Sequence, residues 1–246
     1  MTLSDLTLSD TPNAALTDEL KQFARDEGFD LFGIANIDHM NERARPGRRP
    51  MDLYPYARSV MIIGCGIMDP FCRGWVKNGK ARGFFSLTLL ELERRVRLLK
   101  RFFREKGYHT FGGEVAGNAV AGIGLRLAEP AADCGMGYVG KSNLLITPRY
   151  GPRQNLISLA TDAVLIPDKS DPLKNAPLSG CGSCTLCQKM CLSGAIMGDG
   201  YFHARQCESI INAQPNKRYY NENVNQDCDR CLRYCPKGQL HWRKGD

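Results

Sequence analysis

The stretch CGSCTLCQKMC, residues 181–191, places four cysteines within eleven residues, with gaps of two, two and three residues. So many thiols in one segment can serve disulfide bonds, a zinc site or an iron–sulfur cluster. Large apolar residues are sparse in the part of the chain that follows residue 170. The chemistry of these thiols therefore decides how that part folds.

The overall composition is typical of a globular protein, with 246 residues, 43% hydrophobic and 24% charged. No apolar run approaches the roughly 20 residues that a membrane-spanning helix needs. The N-terminal MTLSDLTLSD has neither the basic nor the apolar region of a secretory leader. We therefore expect a cytoplasmic protein that does not associate with membranes. Because the cytosol keeps thiols reduced, the eleven cysteines indicate metal binding rather than disulfide bonds.

Helical and strand patterns alternate along the first two thirds of the chain, which predicts an α/β (α+β) fold. Apolar spacing predicts helices over 16–28 and 85–106, strands over 30–35, 60–67 and 108–115, and a helix, a Gly-rich turn and two strands within 118–165. The polar, Pro-containing segment 166–180 predicts a boundary. We expect one domain over 1–170 and a second over 171–246, which metal would have to hold together.

The cysteine spacing favours two [4Fe–4S] clusters, which need eight ligands. The pattern C-x2-C-x2-C-x3-C is the bacterial ferredoxin spacing, in which the fourth cysteine binds the other cluster. One predicted ligand set is therefore Cys181, Cys184, Cys187 and Cys235, and the other is Cys228, Cys231, Cys207 and Cys191. Zinc is the competing interpretation, but a zinc ribbon uses two C-x2-C pairs and no third cysteine at this spacing. The remaining Cys65, Cys72 and Cys134 are predicted to be buried free thiols.

Basic residues produce a formal charge of +7 and concentrate in 43–50 and 94–106. We interpret the first group as a solvated loop and the second as the polar face of a helix. An anionic cofactor or a nucleic acid is the alternative partner for these charges.

Four segments together resemble the epoxyqueuosine reductase and reductive dehalogenase superfamily. They are EGFDLFGIA (27–35), YPYARSVMIIG (54–64), AADCGMGYVGKSNLLITPRYGPRQNLISLATD (131–162) and CGSCTLCQKMCLSGAI (181–196). The resemblance covers about residues 20–240. It implies a nitroreductase-like domain that binds base-off cobalamin, followed by a ferredoxin-like module with two [4Fe–4S] clusters.

The resemblance also implies a cofactor-binding role for the Gly-rich turn. Gly135, Gly137 and Gly140 would let the backbone approach the corrin or its phosphate-bearing tail, with Lys141 and Ser142 beside them. Without the resemblance, the same glycines would indicate a turn between a helix and a strand.

The catalytic candidates are Asn118, Lys141 and Tyr138. Epoxyqueuosine reductases have an aspartate as the proposed proton donor, whereas the corresponding VAGNAVAGIG (115–124) contains no acid. The tyrosine of reductive dehalogenases is also missing from RGFFSLTLL (82–90). Asparagine can orient a substrate but cannot donate a proton as a general acid. Lys141 is the better chemical candidate, and it could equally bind a phosphate.

Three functions follow as alternatives. The first is a cobalamin-dependent iron–sulfur reductase of a small molecule, supplied by a low-potential donor such as a ferredoxin or flavodoxin. The second is an electron-transfer or corrinoid-handling accessory protein without substrate turnover. The third is an iron–sulfur reductase with FMN in the larger domain. The chain shows no helical-repeat extension after the cysteines, which disfavours tRNA as the substrate.

Overall fold

A computed structural model describes residues 11–67, 82–113, 126–169, 180–198, 202–207 and 230–238. The helices are α1 (Ala14–Asp26), α2 (Ile37–Arg43), α3 (Pro50–Leu53), α4 (Arg82–Glu105), α5 (Ala128–Asp133), α6 (Leu186–Met190) and α7 (Arg230–Arg233). The strands are β1 (Leu31–Ala35), β2 (Ser59–Gly66), β3 (Thr110–Gly112), β4 (Tyr138–Val139), β5 (Leu145–Ile146) and β6 (Gln154–Thr161).

Four strands form one antiparallel sheet in the order β1-β2-β6-β3, and β4 pairs with β5 in a separate hairpin. The architecture is therefore a mixed α/β fold with a small antiparallel sheet. Strand β2 reads as a continuous apolar run because the sheet is covered on both faces. Met61 and Ile63 pack on one side with α1 and α4, and Val60 and Ile62 pack on the other with α2 and α5.

The start and the end of α1 follow from local chemistry. The side chain of Asn13 accepts a hydrogen bond from the backbone N–H of Leu16 at 2.9 Å, which caps the helix. Gly28 follows the helix with φ of +69°, a conformation that favours glycine. Leu16, Leu20 and Ala24 are buried, so the predicted apolar face of this helix is confirmed.

Helix α4 also follows the predicted apolar spacing, with Leu92, Val96, Leu99 and Phe103 buried in the first core. The prediction that the basic residues of 94–106 form a polar helix face is wrong at Arg95.

Arg95 is 5% exposed. Its guanidinium donates hydrogen bonds to Glu91 at 2.8 Å, to the Gly64 carbonyl at 2.7 Å and to Asp30 at 3.0 Å. A buried cation needs such partners, and Arg95 therefore ties α4 to the ends of β1 and β2.

None of the described helices is long and apolar enough to cross a membrane.

Candidate functional site

The first cysteine loop, residues 180–187, carries three of the predicted ligands. The backbone N–H of Cys184 donates to the carbonyl of Cys181 at 3.0 Å, and Gly182 takes a φ of +48° within this turn. Cys187 follows on α6. The tight turn and the short helix point three thiols toward one cavity.

Cys235 completes this arrangement from a distant part of the sequence. It follows α7 and lies on the wall of the cavity that Cys181, Cys184 and Cys187 also line. The cavity is lined by Lys141, Ser142, Ile146, Cys181, Cys184, Cys187, Cys235, Pro236 and Lys237. We call the four cysteines the first cysteine site. Their grouping matches the first ligand set predicted from the spacing, and iron binding by them stays a prediction.

Arg153 fastens the segment that carries Cys235 to the larger part of the chain. Its side chain is buried, with 2% of the residue exposed. The guanidinium donates to the carbonyls of Leu232 and Cys235, both at 3.1 Å, and to the carbonyl of Lys237. One cation therefore binds the end of α7 and the loop that follows it.

Gly151 brings the two backbones together beside Arg153. An added Cβ would lie 2.0 Å from the carbonyl oxygen of Lys237, so only glycine fits at this position. Arg153 ends the TPRYGPR stretch (147–153), which belongs to a segment that carries the resemblance, but the sequence alone predicts no role for it. Contacts to backbone carbonyls depend on spatial proximity, which a single sequence does not display.

Lys141 binds the first cysteine loop. Its Nζ donates to the carbonyl of Gly182 at 2.6 Å and to the carbonyl of Cys184 at 3.1 Å. Lys141 and Arg153 come from the same stretch of the larger part, yet they bind loops that are far apart in sequence. Together they position the first cysteine site.

The hydroxyl of Tyr138 lies beside this site. The oxygen is buried and has no hydrogen-bond partner with acceptable geometry among the described residues. Burial raises the pKa of Tyr138 to about 12, and negative charge at Cys181 and Cys235 acts in the same direction. Cys181 is near enough to the hydroxyl to add to this rise, although the two groups do not meet the geometry of a hydrogen bond.

The Gly-rich turn is accounted for by contacts within the chain. An added Cβ at Gly137 would lie 2.1 Å from the carbonyl oxygen of Ile146, and one at Gly140 would lie 2.8 Å from the side chain of Ile146. Gly135 follows the C-cap of α5 with φ of +81°. Ser142 is buried at the cavity that contains Cys181. Corrinoid binding by these residues stays a prediction.

The second predicted ligand set is described in part, since Cys228 lies outside the described residues. Cys191 ends α6 and lies 3.5 Å, Sγ to Oγ, from Ser193. Burial tends to raise the pKa of Cys191, but hydrogen bonds from Ser193 and from the backbone of Ala195 and Ile196 outweigh it and lower the pKa. A thiolate at Cys191 is therefore favoured by its own loop, as a metal ligand requires.

Burial instead raises the pKa of Cys187 and of Cys235. Within the described residues, no group of three or more His, Cys, Asp and Glu side chains has the geometry to hold a single metal ion.

The other predicted residues divide between described and undescribed parts. Cys65 is buried and Cys134 is half-buried, and both are free thiols. Burial raises their pKa values to about 11 and about 12, which keeps them protonated and inert. Cys72 and the catalytic candidate Asn118 lie outside the described residues.

No family model matches this chain, but curated proteins with similar sequences do. The epoxyqueuosine reductase of Staphylococcus aureus is 28% identical over 235 residues, which cover 90% of this chain and 58% of that one. The enzyme of Lactococcus garvieae is 31% identical over 228 residues, which cover 89% and 60%. This chain is similar in sequence to epoxyqueuosine reductases. It spans about 60% of the length of these two curated relatives.

Solved structures show the same fold. An epoxyqueuosine reductase crystallised with an epoxyqueuosine-modified tRNA stem loop matches with a TM-score of 0.60 and 21% identity, covering 90% of this chain and 65% of that one. The catabolic reductive dehalogenase NpRdhA matches with a TM-score of 0.64 and 18% identity, covering 94% and 33%. The resemblance predicted from the four sequence segments is thus confirmed.

Proposed function

We propose that this chain is a cobalamin-dependent iron–sulfur reductase with two [4Fe–4S] clusters and a small-molecule substrate. The observation that carries the proposal is the convergence of Cys181, Cys184, Cys187 and Cys235 on one cavity. The first three cysteines come from one loop, and the fourth comes from the far end of the cysteine-rich part. This grouping fits the crossed pairing of two-cluster ferredoxins, in which the fourth cysteine of a run binds the other cluster.

The residues around the first cysteine site fit a cluster. Four thiols supply a complete ligand set for a [4Fe–4S] cube. Lys141 brings positive charge to the cavity, which favours an anionic iron–thiolate group. The hydroxyl of Tyr138 has no hydrogen-bond partner among the described residues and adds a buried donor near Cys181. Cys191, Cys207, Cys228 and Cys231 would hold the second cluster.

The cobalamin part of the proposal depends on the relatives. One reductive dehalogenase structure with a TM-score of 0.61 and 18% identity is described as suggesting a mechanism for B12-dependent dehalogenation. Residues 1–170 would form the nitroreductase-like domain that takes the corrinoid, and 171–246 the ferredoxin-like module. The clusters and the corrinoid, when bound, supply low-potential electrons, while the chain supplies position and exclusion of water.

A second candidate function is reduction of a modified nucleoside in tRNA. The curated relatives are named epoxyqueuosine reductases, and one similar structure contains a tRNA stem loop. These findings weigh against our expectation that tRNA is not the substrate. Incubating reduced protein with an epoxyqueuosine-containing stem loop, followed by mass spectrometry of the nucleosides, separates the two functions.

The first test is metal content and cobalamin binding of anaerobically prepared protein. We expect about eight irons and eight sulfides per chain, and a titration with cobalamin should give the absorbance and EPR signature of the base-off form. Eight irons without cobalamin binding would contradict the reductase and leave an FMN enzyme or an electron-transfer protein. Zinc in place of iron would contradict the cluster assignment.

The crossed pairing has its own test. Cys181→Ser and Cys235→Ser should each remove the same cluster and leave the same residual EPR signal, because both residues belong to the first cysteine site. Cys191→Ser should perturb the other cluster. Cys134→Ser is the matched control, since Cys134 lies outside both ligand sets. Different residual signals for Cys181→Ser and Cys235→Ser would contradict the pairing.

A further inference from the structure

The ring of Tyr138 packs against Gly180, the residue that precedes Cys181 in the first cysteine site. A Cβ added to Gly180 would lie 2.2 Å from Cζ of Tyr138 and 2.4 Å from its hydroxyl oxygen. The end of the tyrosine ring therefore occupies the space that a side chain at position 180 would take. This places the hydroxyl next to the first residue of the cysteine loop.

A buried hydroxyl without a hydrogen bond is costly, and a native structure normally supplies a partner. The described residues supply none to Tyr138. The neighbouring Cys181 is a poor acceptor while it is a neutral thiol. Once it is a thiolate, it carries the negative charge that makes a sulfur a good acceptor, and hydrogen bonds to charged acceptors are the stronger ones.

We infer that the hydroxyl of Tyr138 donates a hydrogen bond to Sγ of Cys181 when Cys181 binds iron, and that this bond sets the reduction potential of the cluster in the first cysteine site. The inference rests on the proposed iron–sulfur function. It makes Tyr138, one of the three catalytic candidates, a positioning residue that acts through Cys181.

The direction of the effect follows from charge. Reduction adds negative charge to the cluster and its thiolates, so a donor to a thiolate sulfur stabilises the reduced state more than the oxidised state. Tyr138 therefore raises the potential of the cluster that it contacts. The other cluster, for which Cys191, Cys207, Cys228 and Cys231 are the predicted ligands, should keep its potential.

The test is an EPR-monitored redox titration of anaerobically prepared wild-type protein and Tyr138→Phe. This substitution removes the hydroxyl and keeps the ring against Gly180. We expect unchanged iron content and a reduction equilibrium of one cluster that is about threefold to tenfold less favourable. A tenfold change corresponds to a fall of about 59 mV for a one-electron couple. Tyr108→Phe is the matched control, because Tyr108 packs on Phe103 in the first core.

The outcomes are distinct. Wild-type protein without iron–sulfur clusters refutes the proposed function itself. Two clusters in both proteins with equal potentials overturn the role of Tyr138 and leave the proposed function standing. If Tyr138→Phe does not retain iron, the wild-type protein decides by ENDOR spectroscopy of the reduced cluster in water and in deuterium oxide. A strongly coupled exchangeable proton supports the hydrogen bond, and its absence overturns the inference.

Discussion

Replacing Arg153 with methionine should detach the segment that delivers Cys235. Methionine retains part of the apolar stem but removes every N–H donor. The wild-type guanidinium makes hydrogen bonds to three backbone carbonyls, including that of Cys235, and is 2% exposed. Hydrogen bonds that involve a charged group contribute about 1.5–3 kcal/mol each. We expect a total loss of about 3–5 kcal/mol, because water can reach part of this half-buried segment and replace some of the lost donors.

A loss of that size shifts the equilibrium between the docked and the undocked segment toward the undocked form by a factor of at least about 100, since 1.4 kcal/mol corresponds to tenfold. The chain should then hold about four irons in place of about eight, because the first cysteine site lacks its fourth ligand. The assay is iron and sulfide per chain after anaerobic preparation, with the residual cluster identified by EPR. Arg153→Lys, which keeps the charge with fewer donors, should give an intermediate iron content.

Arg149→Met is the matched control, because Arg149 belongs to the same TPRYGPR stretch but is exposed and lies 5.2 Å from the ring of Tyr150. Arg149→Met should retain all its iron. An Arg153→Met protein with full iron content and an unchanged melting temperature would refute the idea that this arginine docks the cysteine segment.

Three further predictions concern charged side chains. Lys141→Met should lower the iron content less than Arg153→Met, because it removes two partly exposed hydrogen bonds to the first cysteine loop, and iron analysis of both variants tests this order. Arg95→Met should lower the free energy of unfolding by about 3–5 kcal/mol in urea titrations, since it leaves a buried network without its cation, whereas exposed Arg101→Met should change it little. The pKa of Glu91 is lowered to about 2, chiefly by its hydrogen bond with Arg94. In the pH range between about 2 and 5, the unfolded chain therefore binds more protons at Glu91 than the folded chain does. The stability from Glu91 is thus present above about pH 5 and is lost as pH falls toward 2. Glu91→Gln should lack this loss in acid-unfolding curves.

The helices and strands were largely predictable because their apolar spacing reports which face is buried. Residues 16–28 and 60–67 show this, since one has the spacing of a helix with one buried face and the other is apolar throughout. Spacing does not report which strands pair. The placement of β6 between β2 and β3, with every neighbour antiparallel, comes from contacts between distant segments. The burial of Arg95 is not predictable from spacing either, because two of its partners, Gly64 and Asp30, lie outside its own helix.

The first cysteine site divides in the same way between what spacing encodes and what only the fold can supply. The ligands of a [4Fe–4S] cluster are typically cysteines, so a candidate ligand set can be predicted from the sequence. The residues that hold the loops have no such restriction, because any well-placed cation can bind a backbone carbonyl. The predicted cofactor-binding role of Lys141 therefore depends on the resemblance, and the sequence predicts no role for Arg153.

The contacts of Lys141 also limit what it can do chemically. An ammonium group has three N–H donors, and two of these bind the carbonyls of Gly182 and Cys184. Giving up a proton to a substrate would weaken the cysteine loop at the moment when the cluster has to stay in place. Tyr138 is likewise directed at Cys181. Two of the three catalytic candidates thus serve the first cysteine site, and Asn118 is the remaining candidate for contact with a substrate.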